Sequence, residues 1–261
     1  VTNPDRMITA PDMGENIDSN IGKRTYSARS LHGQVVHELG RRIVSGQIAE
    51  GSILPIETDL GAEFDVSRTA LREGIKVLTA KGLLVSRTRT GTRVRPRSDW
   101  NMLDPDVLTW RLETKHDESF IQDLYDFRMA IEPMAASLAA VRATDEEIIE
   151  MKLALTGMTV AKNDIHAFIE PDLRFHLLIL SSCRNEFLAS LFVLVETAIR
   201  FSFDLVEHEV KFDMADYHKA IFDAIQARDA RGAHDAMVHH LNSSHEINEA
   251  VLAQIIAERE N

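Results

Sequence analysis

From Leu31 to Ser45, apolar residues fall at Val35, Val36, Leu39, Ile43 and Val44, the spacing of one helical face. "SGQIAEGSIL" (45–54) follows with two glycines and a short apolar run, a turn into a short strand that Pro55 stops. In "ETDLGAEFD" (57–65) Leu60 and Phe64 stand four apart, which predicts a short helix. Asp65 and Val66 make a tight turn, and Ser67 suits the N-cap of the next helix. That helix buries Leu71, Ile75 and Leu78 and ends at "KG", with Gly82 as its C′ residue. The period then changes from helical to alternating. "LLVSRTRTGTRVRP" (83–96) is rich in Thr and Val and puts "TG" (90–91) at a hairpin turn.

Beyond residue 104 the helical period continues almost without interruption. "DPDVLTWRLE" (104–113) has an Asp cap with Pro at the first turn. "DESFIQDLYDFRMAIEPMAASLAAVRA" (117–143) is long and amphipathic, and "TDEE" (144–147) is a capping box. Further helices are expected over 164–182, 185–208, 213–228 and 230–257, with Asn185 and Asp229 at cap positions. No strand signal intervenes. The fold class is therefore mainly α: an N-terminal winged helix-turn-helix followed by a C-terminal all-α helical bundle. Residues 1–27 lack periodicity and are expected to form a flexible N-terminal arm. The winged domain spans 28–97, a linker and connecting helix 98–116, and the helical domain 117–261.

Charge divides the chain in the same way. The whole carries a formal net charge of −12. Residues 21–97 hold 14 Lys+Arg against 7 Asp+Glu, whereas 98–261 hold 14 against 30. A basic domain that meets a polyanion is thus joined to an acidic one with another task. The basic residues are placed for DNA. In "SRTALREGIKVL" (67–78), Arg68, Arg72 and Lys76 recur every fourth residue, opposite the apolar face. Basic side chains at a helix N-terminus oppose the helix dipole, so a polyanionic partner is the simplest compensation for Arg68 and Arg72. For Lys76 a merely solvated position is an equal reading. The hairpin adds Arg87, Arg89, Arg93, Arg95 and Arg97. A guanidinium can grip guanine O6 and N7, or a phosphate, in two-pronged fashion.

The single cysteine, Cys183, excludes an internal disulfide and a multi-thiolate zinc site. No apolar run is long enough to span a membrane, and the polar first twenty residues lack the core of a signal peptide, so a cytoplasmic location is expected.

Four residues of the acidic half suggest a metal. Asp172 and His176 share a helix face at i,i+4, and His218 and His240 lie on the last two helices. Three imidazoles and a carboxylate suit a divalent metal, Zn²⁺ first and Ni²⁺ or Mn²⁺ next, with coordination positions left for a ligand. The competing reading makes these histidines ordinary core residues of a cavity that binds without metal. His116, His166, His208, His234 and His245 are placed at the surface or rim.

Residues 31–97 resemble the DNA-binding domain of the GntR family of bacterial transcription regulators. The matching stretches are "GSILPIETDLGAEFDVSRTALREGIKVLTAKGLL" (51–84) and "GTRV" (91–94). The resemblance implies that Ser67, Arg68, Thr69 and Arg72 contact bases and phosphates and that Gly91 is the wing tip. Thr58 stands where some members carry Arg. With Arg89 of the hairpin, these form the expected DNA-binding set. Residues 120–245 look like the helical effector domain of the FadR-type branch, the FCD type. Its D-x-x-x-H motif falls on Asp172 and His176, and its two later histidines on His218 and His240, with His239 a rival. The branch implies a small carboxylate bound over the metal. Arg128, in "FRMAIEP" (127–133), is expected near that carboxylate, or else in an ion pair with Asp123, Asp126 or Glu132. "SDWNMLDPDVLTW" (98–110) is similar to the linker of members that respond to sugar acids.

The expected protein is a ligand-responsive DNA-binding regulator and not an enzyme. It is a homodimer on a palindromic operator, a repressor released by a small carboxylate or sugar acid. The alternative is a metal-dependent hydrolase-like enzyme with a nucleic-acid-binding appendix. Against it, H-E-x-x-H, G-x-S-x-G and Gly-rich phosphate loops are missing from the sequence.

Overall fold

The computed structural model describes residues 30–87, 89–113, 118–161, 164–206 and 215–259. The expected arm over 1–27 lies outside them, as do His116 and His208. The first domain is built from α1 (Leu31–Val44), α2 (Glu57–Glu63), α3 (Arg68–Ala80), β1 (Leu84–Arg87) and β2 (Gly91–Val94). Ser30 caps α1 by accepting from Gly33 N at 3.2 Å, and Ser67 caps α3 by accepting from Ala70 N at 3.2 Å. The apolar faces meet in one core that includes Val35, Val36, Leu39, Ile43, Leu71, Ile75 and Leu78. The hairpin pairs Leu84 with Val94 and Arg87 with Gly91. The strand expected before Pro55 shrinks to a single bridge, Ile53 with Arg93, flanked by backbone hydrogen bonds from Gly51 N to Val94 O, Leu54 N to Thr92 O and Val94 N to Ser52 O. Gly82 adopts φ +80°, and a Cβ there would lie 2.4 Å from Asp99 O. The turn after α3 thus needs glycine for its backbone angle and for space alike.

The segment after the hairpin is packed, not loose. Trp100 is buried, and its Nε1 donates to Arg95 O at 3.1 Å. Lys81, at the end of α3, is only 3% exposed and meets both Asp104 and Asp106, at 2.8 and 2.7 Å. Asp104 also accepts from Asp106 N and Val107 N, which starts α4 (Pro105–Glu113). Two faces of α4 are used. Val107 and Trp110 enter the core of the winged domain, while Leu108 packs with Phe120, Leu124, Leu194 and Ala198 of the second domain.

The second domain comprises α5 (Glu118–Arg142), α6 (Asp145–Val160), α7 (Ile165–Ser182), α8 (Glu186–Ser190), α9 (Phe192–Val206), α10 (Ala215–Gln226) and α11 (Ala230–Arg259). Thr144 and Glu147 form the capping box of α6, and Asn185 and Asp229 cap as expected. The single helix expected over 185–208 is broken at Leu191. Ser190 Oγ donates to Phe187 O at 2.8 Å, and Leu191 N bonds to Leu188 O, a tighter turn that ends α8 before α9 begins. Among the described residues, no helix is long and apolar enough to cross a membrane.

Candidate metal centre and nucleic-acid interface

The buried stripe of α7 carries Asp172 and His176 one turn apart among Leu173, Phe175 and Ile179. On α10, His218 shares its buried face with Ile221, Phe222 and Ile225. On α11, His240 follows the buried Ala233 and Met237. Packing these apolar stripes together brings the four polar side chains to one point. The ring centroids of His176 and His218 are 5.5 Å apart, those of His176 and His240 5.5 Å, and those of His218 and His240 4.4 Å. One nitrogen from each imidazole lies within 4.8 Å of the others. Asp172 Oδ1 is 2.6 Å from His218 Nε2 and 3.7 Å from His176 Nε2. None of the four residues is more than 4% exposed. His239, the rival to His240, is exposed and lies against Tyr217.

Among the described residues, His176 Nε2 and His240 Nδ1 have no hydrogen-bond partner although both are buried, and Asp172 Oδ1 is turned toward them and His218. Each such atom costs free energy unless something satisfies it. Donor type, convergence and burial together fit a divalent cation. The electrostatics agree. Burial pushes the Asp172 carboxyl up, but His218, then His176 and Arg128, hold it below the usual aspartate range. Burial lowers His240 well below an ordinary imidazole, and His218, His176 and Arg128 add to this. A carboxylate and a neutral imidazole are the forms that bind metal.

Glu132 is the site residue that the sequence analysis missed. It appeared there only as one of three possible partners for Arg128. In the structure Glu132 Oε2 lies 2.5 Å from His176 Nδ1, and Arg128 Nε donates to Glu132 Oε1 at 2.5 Å. Burial would raise the Glu132 carboxyl, but Arg128 and His176 outweigh it and hold the pKa down to about 2. A carboxylate on the far nitrogen of a ligating imidazole sets its orientation and raises its basicity. The available signal was the i,i+4 spacing of Arg128 and Glu132 on the apolar α5.

Arg128 is therefore in the ion pair offered as the competing reading, yet its role is not exhausted. It is 6% exposed, and its Nη2 has no hydrogen-bond partner among the described residues. It also lines a narrow cavity with Leu124, Tyr125, Ser202, Ser244 and Asn248. Tyr125 Oη donates to Asn242 Oδ1 at 2.6 Å, and Asn248 Nδ2 donates to Ser202 Oγ at 2.8 Å. His245, expected at the rim, stacks on Tyr125 at 3.9 Å and forms part of this lining.

On the first domain, Ser67, Arg68, Thr69 and Arg72 are exposed along the outer face of α3. Arg72 Nε pairs with Glu57 at 2.9 Å, and Lys76 pairs with Glu73 at 2.8 Å on its own helix. The wing arginines, grouped as one cationic set from the sequence, divide in the structure. Arg93 donates to Gly51 O, Arg95 pairs with Asp99, and Arg97 lies over the Trp100 ring. Arg87 and Arg89 remain exposed at the tip, where Arg89 (φ +73°) and Gly91 (φ +82°) make the turn. Alternation along a strand cannot foresee this, because it is set by which loops lie beside each side chain.

A winged helix-turn-helix joined to a helical effector domain with a polyhistidine centre defines the class, a bacterial transcription regulator. Residues 31–94 match the model of the bacterial regulatory proteins of the gntR family, and residues 123–243 that of the FCD domain. The chain belongs to the GntR family. It is similar to the galactonate operon transcriptional repressor of Escherichia coli (strain K12), 36% identical over 81% of this chain and 93% of that protein. The uncharacterized HTH-type transcriptional regulator YieP of the same organism is 35% identical over 80% of this chain and 91% of its own. The repressor NanR of Cronobacter sakazakii is 29% identical over 89% and 90%. The solved structure of Lar, described as controlling expression of the Listeria monocytogenes agr system, has a TM-score of 0.62 at 16% identity. It covers 86% of this chain and 99% of that one, which shows the fold alone. Relatives and family are transcription regulators, so the hydrolase alternative is set aside. FCD domains of such regulators commonly bind a metal, and the His176, His218 and His240 cluster is suited to one.

Proposed function

We propose that the chain is a cytoplasmic repressor that binds a palindromic operator as a homodimer and releases it when a small carboxylate, of the sugar-acid class, enters the helical domain. Residues 28–97 hold DNA, 98–116 couple the halves, and 117–261 sense the effector. Asp172, His176, His218 and His240 hold a divalent metal, Zn²⁺ before Ni²⁺ or Mn²⁺, which supplies a Lewis-acidic point for the effector's oxygens. Arg128 Nη2 faces the carboxylate, while Tyr125, Ser202 and Asn248 offer hydrogen bonds to hydroxyls. The supporting observation is the convergence of His176, His218 and His240 beside Asp172, joined through Glu132 to Arg128, which lines the neighbouring cavity. The similarity to a galactonate operon repressor favours the sugar-acid class.

Protein purified without an affinity tag should carry about one equivalent of divalent metal by elemental analysis, one ion for the one four-ligand set. His218→Ala should carry almost none. Unchanged metal content in that variant would remove His218 from the set. A panel of sugar acids should contain one that releases bound DNA from the metal-loaded protein and not from His218→Ala.

For DNA, Ser67, Arg68, Thr69 and Arg72 approach the major groove and Arg89 and Gly91 the neighbouring backbone. Arg68→Ala and Arg72→Ala should each weaken binding to a selected duplex by about 1–3 kcal/mol where they read a base. Arg89→Ala should instead reduce the salt dependence, by about one unit of slope, with little sequence preference lost. Fluorescence anisotropy across a salt series measures both. Wild-type affinity in both α3 variants would refute α3 as the reading helix.

A further inference from the structure

Arg72 leaves the exposed face of α3 and is gripped from the side. Both carboxylate oxygens of Glu57, the first residue of α2, lie on its Nε, Oε1 at 3.0 Å and Oε2 at 2.9 Å. The Arg72 side chain is 64% exposed and that of Glu57 41%. An ion pair this open to solvent adds little to folding stability. It also puts a negative charge on the surface that meets phosphates, where the charge alone weakens DNA binding. Lys76 is different, since its partner Glu73 comes from the same helix. The Glu57 contact joins the two helices of the motif across fifteen residues of sequence.

We propose that Glu57 is a positioning residue for base readout by Arg72. A guanidinium is a rigid plane with five donors on three nitrogens. With Nε held by Glu57, the donors left for DNA are those on Nη1 and Nη2. Two of these form a parallel pair that can take guanine O6 and N7 end-on. Holding the plane in advance lowers the side-chain entropy lost when the contact forms. The carboxylate is tolerated at the interface because its charge is spent on Arg72.

This inference rests on α3 being the reading helix. The test is selection from a pool of randomised duplexes, followed by sequencing, with the full-length wild type, Arg72→Ala, Glu57→Ala and Glu57→Asp. Aspartate keeps the charge near the start of α2 but is one methylene short of Nε, so it separates positioning from a favourable helix-dipole interaction. Arg72→Ala should erase the preference at one base pair per half-site. Both Glu57 variants should lower the preference at that same pair by about tenfold. Other positions should keep theirs, and binding to mixed-sequence duplex should stay equal or become slightly tighter. If Glu57→Ala binds every duplex more tightly with that preference intact, Glu57 only repels the backbone and the proposal falls. An intact preference in the Glu57 variants, where Arg72→Ala loses it, overturns the proposal alone. A full set of preferences in Arg72→Ala overturns the α3 assignment and the proposal with it. Thermal melts check folding, and if Glu57→Ala melts early the aspartate variant carries the test.

Discussion

Glu132→Gln should destabilise the metal-free protein by about 3 kcal/mol and weaken metal binding by about 10–100-fold. The substitution keeps the shape and removes the charge. Glu132 is 1% exposed and stands between Arg128 Nε and His176 Nδ1. Without its charge, the Arg128 guanidinium is left buried and uncompensated, the situation that makes half of a buried pair expensive. The His176 ring also loses the contact that aims its Nε2 at Asp172, His218 and His240. Urea unfolding of chelator-treated protein gives the first quantity, and competition with a chromophoric chelator the second. A variant with parental stability and parental metal affinity would reduce Glu132 to a bystander.

Trp110→Ala should cost about 3–5 kcal/mol. The ring is 1% exposed and occupies the space beside Gly40, where an added Cβ would lie 2.4 Å from Trp110 Cη2. Its Nε1 donates to His37 Nδ1 at 3.1 Å. No small rearrangement fills a gap of indole size, so a cavity term adds to the lost burial. A second effect follows from Leu108, which anchors α4 in the other core. With Trp110 gone, α4 should hold to the bundle and loosen from the winged domain. Unfolding followed by two probes should then separate into two transitions. A single transition shifted by less than about 1 kcal/mol would show that Trp110 is not the tie between the cores.

Much of this was legible in the chain. Val35, Val36, Leu39, Leu71 and Leu78 are buried where their period placed them, and Ser67, Thr144, Asn185 and Asp229 cap the helices they precede. These features act over three or four residues, so the sequence carries both partners of each interaction within one turn. The limit of such reading shows at Leu191, where the apolar pattern runs on but a serine hydroxyl and a short turn stop the helix. It shows again in the wing, where equal arginines find different neighbours.

The amino-acid sequence by itself determined the two-domain plan and the outward basic face of α3, and with the family resemblance it named the four residues that gather at the candidate metal centre. Periodicity assigns faces, and faces of opposed helices must meet. Only the tertiary structure decided the partners of the charged groups. Glu132 joins His176 across 44 residues, Glu57 joins Arg72 across 15, and Lys81 joins Asp104 across 23. α4 serves two cores for the same reason. A long charged side chain can reach many neighbours at similar local cost. Which one it takes is settled by packing that brings distant segments together and excludes water from the contact.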